Sequence, residues 1–275
     1  MIYKKYGTIF KKLREQQNFP LSSFSPIGIS KATLSNFERG ESMMSFDKVV
    51  TALQYMGVSL EEFELFLNDY SQNDSDFFRD EIEKANIAQD TEKLIKLSNE
   101  AKKEGFPYIS LAAKAAWTNL TNPEIENLTN RFNEIELWSY KELCILFLTT
   151  DHLKTSDIVK IFKGFLYNEN LLFNSPKYRS YLVQACCRGV STLSYRGQKE
   201  EAKYILNQIE YYNLPNSMYL RNLVNITKGY WIYCFENPSK GNSMMLQSLQ
   251  FFYEVSTPKI FQYYQDRYNR LVLSK

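Results

Sequence analysis

Apolar side chains recur at intervals of three and four residues along almost the whole chain, and this periodicity constrains the fold more than any other feature. Glycine and proline are sparse, at 10 and 8 of 275 residues, and runs of alternating β-branched residues are hard to find. Apolar residues spaced in this way line one face of an α-helix. Since hydrophobic residues make up 44% of the chain, they can also form a packed core. We therefore predict an all-α fold.

The first 66 residues predict five short helices. The predicted segments are 7–18, Leu21–Ser25, 31–39, 46–56 and one that begins after Ser59. Pro26 and Gly28 should end the weak second segment. Ser59 and Glu62 have the spacing of a capping box, which marks the start of the fifth helix.

The segment from Ser30 to Gly40 has the composition of a helix that can lie in a DNA groove. Ser30 is a favourable N-cap residue, and Gly40 can adopt the left-handed conformation that ends a helix. Leu34 and Phe37 share one buried face, while compact polar side chains occupy the other. Amides, hydroxyls and basic groups on such a face can contact base edges and phosphates. An ordinary surface helix has the same pattern, and both interpretations stay open on these residues alone.

The charge distribution favours DNA binding. The net charge is only +2, so nucleic-acid binding must be local, yet residues 1–40 contain seven lysines and arginines against two glutamates. The residues that we predict to contact DNA are Lys11, Arg14, Ser30, Lys31, Ala32, Thr33, Ser35, Asn36 and Arg39.

Residues 7–66 resemble the helix-turn-helix domain of the Cro/C1-type repressors. The resemblance rests on Leu13-Arg14, on the run from Leu34 to Gly40 (LSNFERG), and on the segment from Leu53 to Phe63. The form Ser-x-x-x-Leu-Ser-x-Phe-Glu-Arg-Gly, followed by a long helical remainder, more closely resembles the Rgg/MutR family of bacterial regulators. Phe24 departs from the pattern, because a small residue is usual there. The resemblance implies that Arg14 pairs with Glu38 to hold two helices together, with a phosphate contact as a secondary role of Arg14.

The remaining chain predicts a degenerate solenoid of the tetratricopeptide type. We place a linker at 67–76 and the helical domain at 77–275, after a DNA-binding domain at 1–66. The run from Tyr195 to Leu206 has the turn of a tetratricopeptide-type hairpin, which Asn213-Leu214-Pro215 should close, and Gly241 should form a later turn. The predicted helices are 77–88, 91–105, 108–120, 123–137, 138–149, 156–166, 178–195, 219–235, 243–255 and 258–273.

A solenoid presents a concave surface, and tyrosine and arginine are well suited to bind an extended peptide there. Arg188 interrupts an apolar helix face, so it needs a carboxylate, supplied either by a ligand or by an internal aspartate or glutamate. Most of the 20 tyrosines fall on helical stripes, which a purely structural core role also explains. The residues that we predict to contact a peptide are Thr149, His152, Arg188, Asn222, Tyr230, Tyr233 and Arg267.

Several classes of function are disfavoured. His152 is the single histidine, and the four cysteines form no CxxC pair, so a zinc site or a histidine-based triad is hard to build. We expect no enzyme activity, no metal and no other cofactor. No apolar run approaches the roughly 18 residues of a membrane span, and no signal-peptide core follows the first residues. We therefore expect a cytoplasmic protein without a membrane partner.

The leading hypothesis is a sequence-specific transcriptional regulator. The Rgg/MutR resemblance implies a homodimer that binds an inverted repeat in double-stranded DNA. It also implies control by a short signalling peptide, secreted and reimported, that binds the solenoid in quorum sensing. The alternatives are a helix-turn-helix regulator without a peptide and a protein-interaction adaptor built on the solenoid.

Overall fold

The computed structural model describes residues 2–69, 74–167, 175–211 and 217–273, and those residues contain helices and no strand. Their contacts divide the chain into two compact units, Met1–Asp74 and Ser75–Lys275. The all-α prediction is confirmed. No helix in the described part of the chain is both long and apolar enough to cross a membrane.

The N-terminal unit contains the five predicted helical segments. They are α1 (Ile2–Gln16), a 3-10 helix (Leu21–Ile27), α2 (Lys31–Arg39), α3 (Phe46–Tyr55) and α4 (Leu60–Leu67). The two predicted caps of α2 are present, because the Ser30 hydroxyl accepts a hydrogen bond from the Thr33 amide and Gly40 is left-handed, with φ of 72°. The capping box of Ser59 and Glu62 also forms at the start of α4.

The second segment differs from the prediction. Pro26 does not end it, because the segment is a 3-10 helix that continues to Ile27 and stops at Gly28, where φ is 77°. Phe24, the departure from the repressor pattern, is fully buried and packs against the ring of Phe10, with the centroids 6.2 Å apart. The larger side chain therefore fills the core of this unit.

The helices α1 and α2 cross in backbone contact. A Cβ atom on Gly7 would lie 1.9 Å from the carbonyl oxygen of Phe37, so only glycine fits at that crossing. Phe10, Leu34 and Phe37 are buried around the contact. This packing fixes the face that α2 turns toward solvent.

The C-terminal unit is a series of helices. They are α5 (Asp74–Ile87), α6 (Thr91–Lys103), α7 (Pro107–Ala115), α8 (Asn122–Asn133), α9 (Tyr140–Thr149), a 3-10 turn (Thr150–His152), α10 (Thr155–Tyr167), α11 (Pro176–Tyr195), α12 (Lys199–Tyr211), α13 (Met218–Phe235), α14 (Pro238–Val255), α15 (Pro258–Tyr268) and a π-helical turn (Asn269–Leu273). Three pairs of successive helices pack as hairpins, namely α6 with α7, α11 with α12 and, most extensively, α13 with α14, and α11 also packs against α9 and α13. The predicted helical solenoid is confirmed.

Three boundary predictions in this unit are wrong. The helix predicted to reach residue 120 ends at Ala115, and the helix predicted to reach residue 137 ends at Asn133. Gly241 is not a turn but lies inside α14. A Cβ atom on Gly241 would lie 2.5 Å from the carbonyl oxygen of Gly229, so the glycine allows α13 and α14 to touch. The predicted closing segment 213–215 lies outside the described residues.

Candidate functional site

The outward face of α2 carries the polar side chains that the sequence predicts. Lys31 and Ala32 are exposed, and Thr33, Ser35 and Asn36 are partly exposed. Because Leu34 and Phe37 are buried on the opposite side, the polar face is held outward by the core. The Ser30 and Thr33 hydroxyls hydrogen-bond to each other at 2.9 Å, at the exposed beginning of the helix.

Arg39 organises the end of this face. Its guanidinium donates to Ser35 Oγ and to Asn36 Oδ1, both at 2.7 Å. It also makes two hydrogen bonds of 2.7 Å to the carboxylate of Glu41, a partner that the sequence analysis missed. The charge of Arg39 lowers the pKa of Glu41 through these hydrogen bonds. Glu41 therefore competes with any phosphate or base for the same guanidinium.

Arg14 forms a buried pair with Glu38. Its Nε and Nη2 donate to the two carboxylate oxygens at 2.6 and 2.8 Å, and its Nη1 donates to the Phe19 carbonyl at 2.6 Å. The two residues are 6% and 8% exposed. Hydrogen bonding to Glu38 raises the pKa of Arg14. These contacts give a clear basis for the structural role that the resemblance places first. Every guanidinium nitrogen already has a protein acceptor, and the phosphate contact stays a prediction.

Lys11 remains accessible on α1. It is exposed, and its ammonium lies 3.8 Å from the Glu15 carboxylate, a loose surface pair. Such pairs contribute little to stability and open readily. Lys11 can therefore contact a phosphate.

A groove with a cavity volume of about 60 Å³ lies among α9, α11, α13, α14 and α15, and we call it the central groove. Its walls are largely apolar and aromatic. Phe147 of α9, Arg188 of α11 and Tyr230 of α13 face Tyr263 and Arg267 of α15 across it. Three of the predicted peptide-contact residues, Arg188, Tyr230 and Arg267, therefore line one cavity.

Arg188 has an internal partner. Its Nη2 lies 2.6 Å from Oδ2 of Asp151, and its Nη1 donates to the Tyr263 hydroxyl at 3.1 Å. Of the two kinds of partner that the sequence left open, the structure contains the internal one, Asp151. Burial alone would raise the pKa of Asp151, but the charges of Arg188 and Arg267 hold it well below its usual value. The Nε of Arg188 is buried without a hydrogen-bond partner among the described residues.

Arg267 is less constrained. Its guanidinium lies 5.9 Å from the Tyr263 ring and makes a long hydrogen bond of 3.5 Å to the hydroxyl of that tyrosine. It forms no ion pair with any residue that the structure describes. A charged group facing the groove without a counter-ion can bind an anion there.

The other four predicted peptide-contact residues have structural positions away from the central groove. Thr149 is fully buried and donates to the Ile145 carbonyl, so its placement on a binding surface is corrected. His152 bonds the Ala115 carbonyl at 2.9 Å, Asn222 donates to the Ser248 carbonyl at 2.9 Å, and Tyr233 stacks beside Tyr230.

Sequence reasoning missed several lining residues. Gln184 and Ser191 lie on the groove with Arg188, and their spacing along α11 follows the helical repeat, so that face could have been found. Tyr263 and Tyr264 could not be distinguished from core tyrosines by pattern. No group of three His, Cys, Asp or Glu residues suited to a metal exists within the described ranges.

Comparison with known proteins defines the class as a helix-turn-helix transcriptional regulator. Residues 10–63 match the helix-turn-helix family, and residues 65–266 match the family described as HTH-type transcriptional regulator Rgg, C-terminal domain. The chain therefore belongs to the Rgg family of transcriptional regulators.

Solved structures share the fold across nearly the whole chain. The SHP pheromone receptor Rgg2 of Streptococcus dysgalactiae has a TM-score of 0.78 and 19% identity, covering 97% of this chain and 100% of its own. The PrgX/cCF10 complex has a TM-score of 0.70 and 14% identity, covering 98% and 93%. PlcR of Bacillus thuringiensis, in complex with the peptide PapR7 and DNA, has a TM-score of 0.64 and 16% identity, covering 98% and 99%.

Proposed function

We propose that α2 binds specific DNA bases while a short signalling peptide in the central groove controls that binding. The observation that supports DNA binding most directly is the outward polar face of α2, capped by Ser30 and anchored by the buried pair of Arg14 and Glu38. Lys31, Ala32, Thr33, Ser35 and Asn36 contact base edges, and Lys11, Ser30 and Arg39 contact the backbone. The division into a DNA-binding domain at 1–66, a linker at 67–76 and a peptide-binding and dimerisation domain at 77–275 is part of the proposal.

The lining of the central groove supports the proposal that a peptide binds there. It is lined by tyrosines and phenylalanine, which provide contact area, and by Arg267, which has no ion-pair partner in the described part of the chain. Three structures with this fold are described with a ligand: Rgg2 is a receptor for the SHP pheromone, PrgX was solved in complex with cCF10, and PlcR was solved with the peptide PapR7 and DNA. We infer that this protein takes part in quorum sensing in the cytoplasm, where its DNA lies.

The two-fold symmetry of an inverted-repeat DNA site supports a dimeric protein. One recognition helix contacts a single half-site, whereas two copies related by a two-fold axis contact an inverted repeat whose half-sites lie about 10 base pairs apart or a multiple of that. We therefore propose a homodimer on double-stranded DNA.

The test has two stages. Purified protein is mixed with sheared genomic DNA of its host, the retained fragments are sequenced, and the enriched site is footprinted. We expect the wild-type protein to protect an inverted repeat and the variant Asn36→Ala to protect it less. The control variant Gln54→Ala, at an exposed position on α3, should protect it as well as the wild type does. Protection of one asymmetric half-site, or equal protection by Asn36→Ala, would contradict the assignment.

The second stage adds a pool of synthetic apolar peptides of six to eight residues. Under the proposal, some are retained by the protein and change its affinity for the footprinted site. One observation favours a second candidate, the peptide-independent regulator: Asp151 already neutralises Arg188 in the groove. A pool that is neither retained nor alters DNA binding would establish that alternative.

A further inference from the structure

The central groove continues into a concavity at each end. On one side it shares Phe147, Gln184 and Tyr263 with a concavity that also contains Glu83 of α5. On the other side it shares Ser191 and Arg267 with a concavity that contains Arg270. We call these the acidic end and the basic end. The three spaces share these lining residues along α11, and we call them together the channel.

The acidic end has a carboxylate and no cation in its described lining. Oε2 of Glu83 accepts a hydrogen bond of 2.7 Å from the Tyr181 hydroxyl, which orients the carboxylate. Lysine and arginine are absent from its described lining, although Arg79, whose guanidinium lies 5.7 Å from the Tyr181 ring, acts on Glu83 from outside the lining. Burial raises the pKa of Glu83, as expected for a carboxylate held without a direct counter-ion. A ligand ammonium would relieve that cost.

The described lining of the basic end has more arginines than carboxylates. Arg196, Arg267 and Arg270 line it against one carboxylate, Asp151, which is already paired with Arg188. Arg196 is engaged, since it donates to the Asp151 and Leu153 carbonyls at 2.8 and 2.7 Å. Arg267 and Arg270 form no ion pair with the described residues. Burial, followed by repulsion from Arg267, lowers the pKa of Arg270, which reflects an excess of positive charge.

The positions of the two ends along helix α11 give the distance between them. The acidic end lies beside Tyr181 and Gln184, and the basic end lies beside residues 191 to 195. At about 1.5 Å of rise per residue, the ends are roughly 10–21 Å apart. An extended chain advances about 3.3 Å per residue, so this distance matches about three to six residues.

We infer that the channel binds an extended peptide in one direction, with its N-terminal ammonium at Glu83 and its C-terminal carboxylate at Arg267 and Arg270. The inference rests on the proposed peptide-binding function and adds direction, length and the requirement for two free termini. Between the ends the charge of Arg188 is paired with Asp151, and the aromatic walls formed by Phe147, Tyr230 and Tyr263 favour apolar side chains in the middle of the ligand.

The test uses the full-length protein and a defined probe. Synthetic hexapeptides composed of Gly, Val, Leu, Ile and Phe are prepared as one pool in four forms: with free termini, N-acetylated, C-amidated and doubly capped. Retention is measured by equilibrium dialysis and mass spectrometry. We expect the free form to be retained and each cap to lower retention of the same sequences about tenfold, since each removes one charge-assisted contact.

Variants that remove a charge test which end of the channel binds which terminus of the peptide. Glu83→Gln should abolish the effect of acetylation while amidation still weakens binding. The double variant Arg267→Gln/Arg270→Gln should do the reverse. Glu92→Gln on α6 and Arg221→Gln on α13, exposed residues outside the channel, are the matched controls and should behave as wild type. Circular dichroism checks that each variant is folded, and the capped peptides test the wild-type protein without any variant.

The outcomes separate the two levels of the proposal. Peptides that are retained equally with and without caps would overturn the direction and leave the peptide-binding function intact. The direction is equally overturned if Glu83→Gln changes the response to amidation instead of acetylation. If the wild-type protein retains no peptide in any form, both the direction and the peptide-binding function are wrong.

Discussion

Glu38→Met should destabilise the N-terminal unit strongly, because it removes the buried carboxylate that pairs with the Arg14 guanidinium and leaves only the exposed Glu15 carboxylate, 3.3 Å away. In the wild type, Arg14 makes two hydrogen bonds to Glu38, one to Glu15 and one to the Phe19 carbonyl, and the substitution removes the two to Glu38. Removing one member of a buried ion pair costs about 3–5 kcal/mol. A unit of this size has a free energy of unfolding of roughly 4–11 kcal/mol. The variant should therefore lose about a quarter or more of its stability.

The double variant Arg14→Met/Glu38→Met should recover most of the loss. Replacing both charges with apolar side chains of similar size leaves no buried charge, and such replacements are often neutral. The remaining cost is the Phe19 carbonyl, which loses its donor, a penalty of about 1–3 kcal/mol. Lys11→Met on the exposed face of α1 is the matched control and should leave the unfolding transition unchanged.

The positions of the tryptophans allow unfolding of the two units to be followed separately. Trp117, Trp138 and Trp231 all lie in the C-terminal unit, so their fluorescence follows that unit alone. Urea unfolding followed by far-ultraviolet circular dichroism reports both units. In Glu38→Met, part of the helical signal should disappear at lower urea than the fluorescence transition. A loss below about 1 kcal/mol, or a double variant no more stable than the single one, would refute a structural role for the pair.

Three further predictions concern DNA binding and the channel. Asn36→Ala should weaken specific DNA binding by about 1–3 kcal/mol without lowering the melting temperature, measured by fluorescence anisotropy and a thermal melt. Glu41→Gln should strengthen DNA binding, because Arg39 is freed for a phosphate, and should steepen the log–log salt dependence by about 0.9; an unchanged slope would exclude that contact. Glu83→Gln should stabilise the chain at pH 7. A carboxyl whose folded pKa is raised opposes folding once it ionises, so the gain should vanish as pH falls below the ordinary glutamate pKa of about 4.3, as followed by tryptophan fluorescence in urea.

The sequence by itself determined the features that depend on neighbouring residues. Helical periodicity predicts the all-α fold, because burial of one face is decided within each helix. Ser30 and Gly40 bound α2 for the same local reason, since a cap satisfies amides and carbonyls of its own helix. The resemblance carried by the segment from Leu34 to Gly40 predicts the DNA-binding face and the pairing of Arg14 with Glu38.

The tertiary structure alone decided which distant groups meet. The need of Arg188 for a carboxylate is evident from its apolar neighbours, but several acidic residues could meet it until the turn after α9 places Asp151 beside α11. Gly241 has the composition of a turn, and only the contact with Gly229 shows that it serves close packing of two helices. The channel likewise joins Glu83 to Arg270, which lie near opposite ends of the C-terminal unit in the sequence. Periodicity specifies which face of a helix is buried, but the packing of the whole chain decides what lies against it.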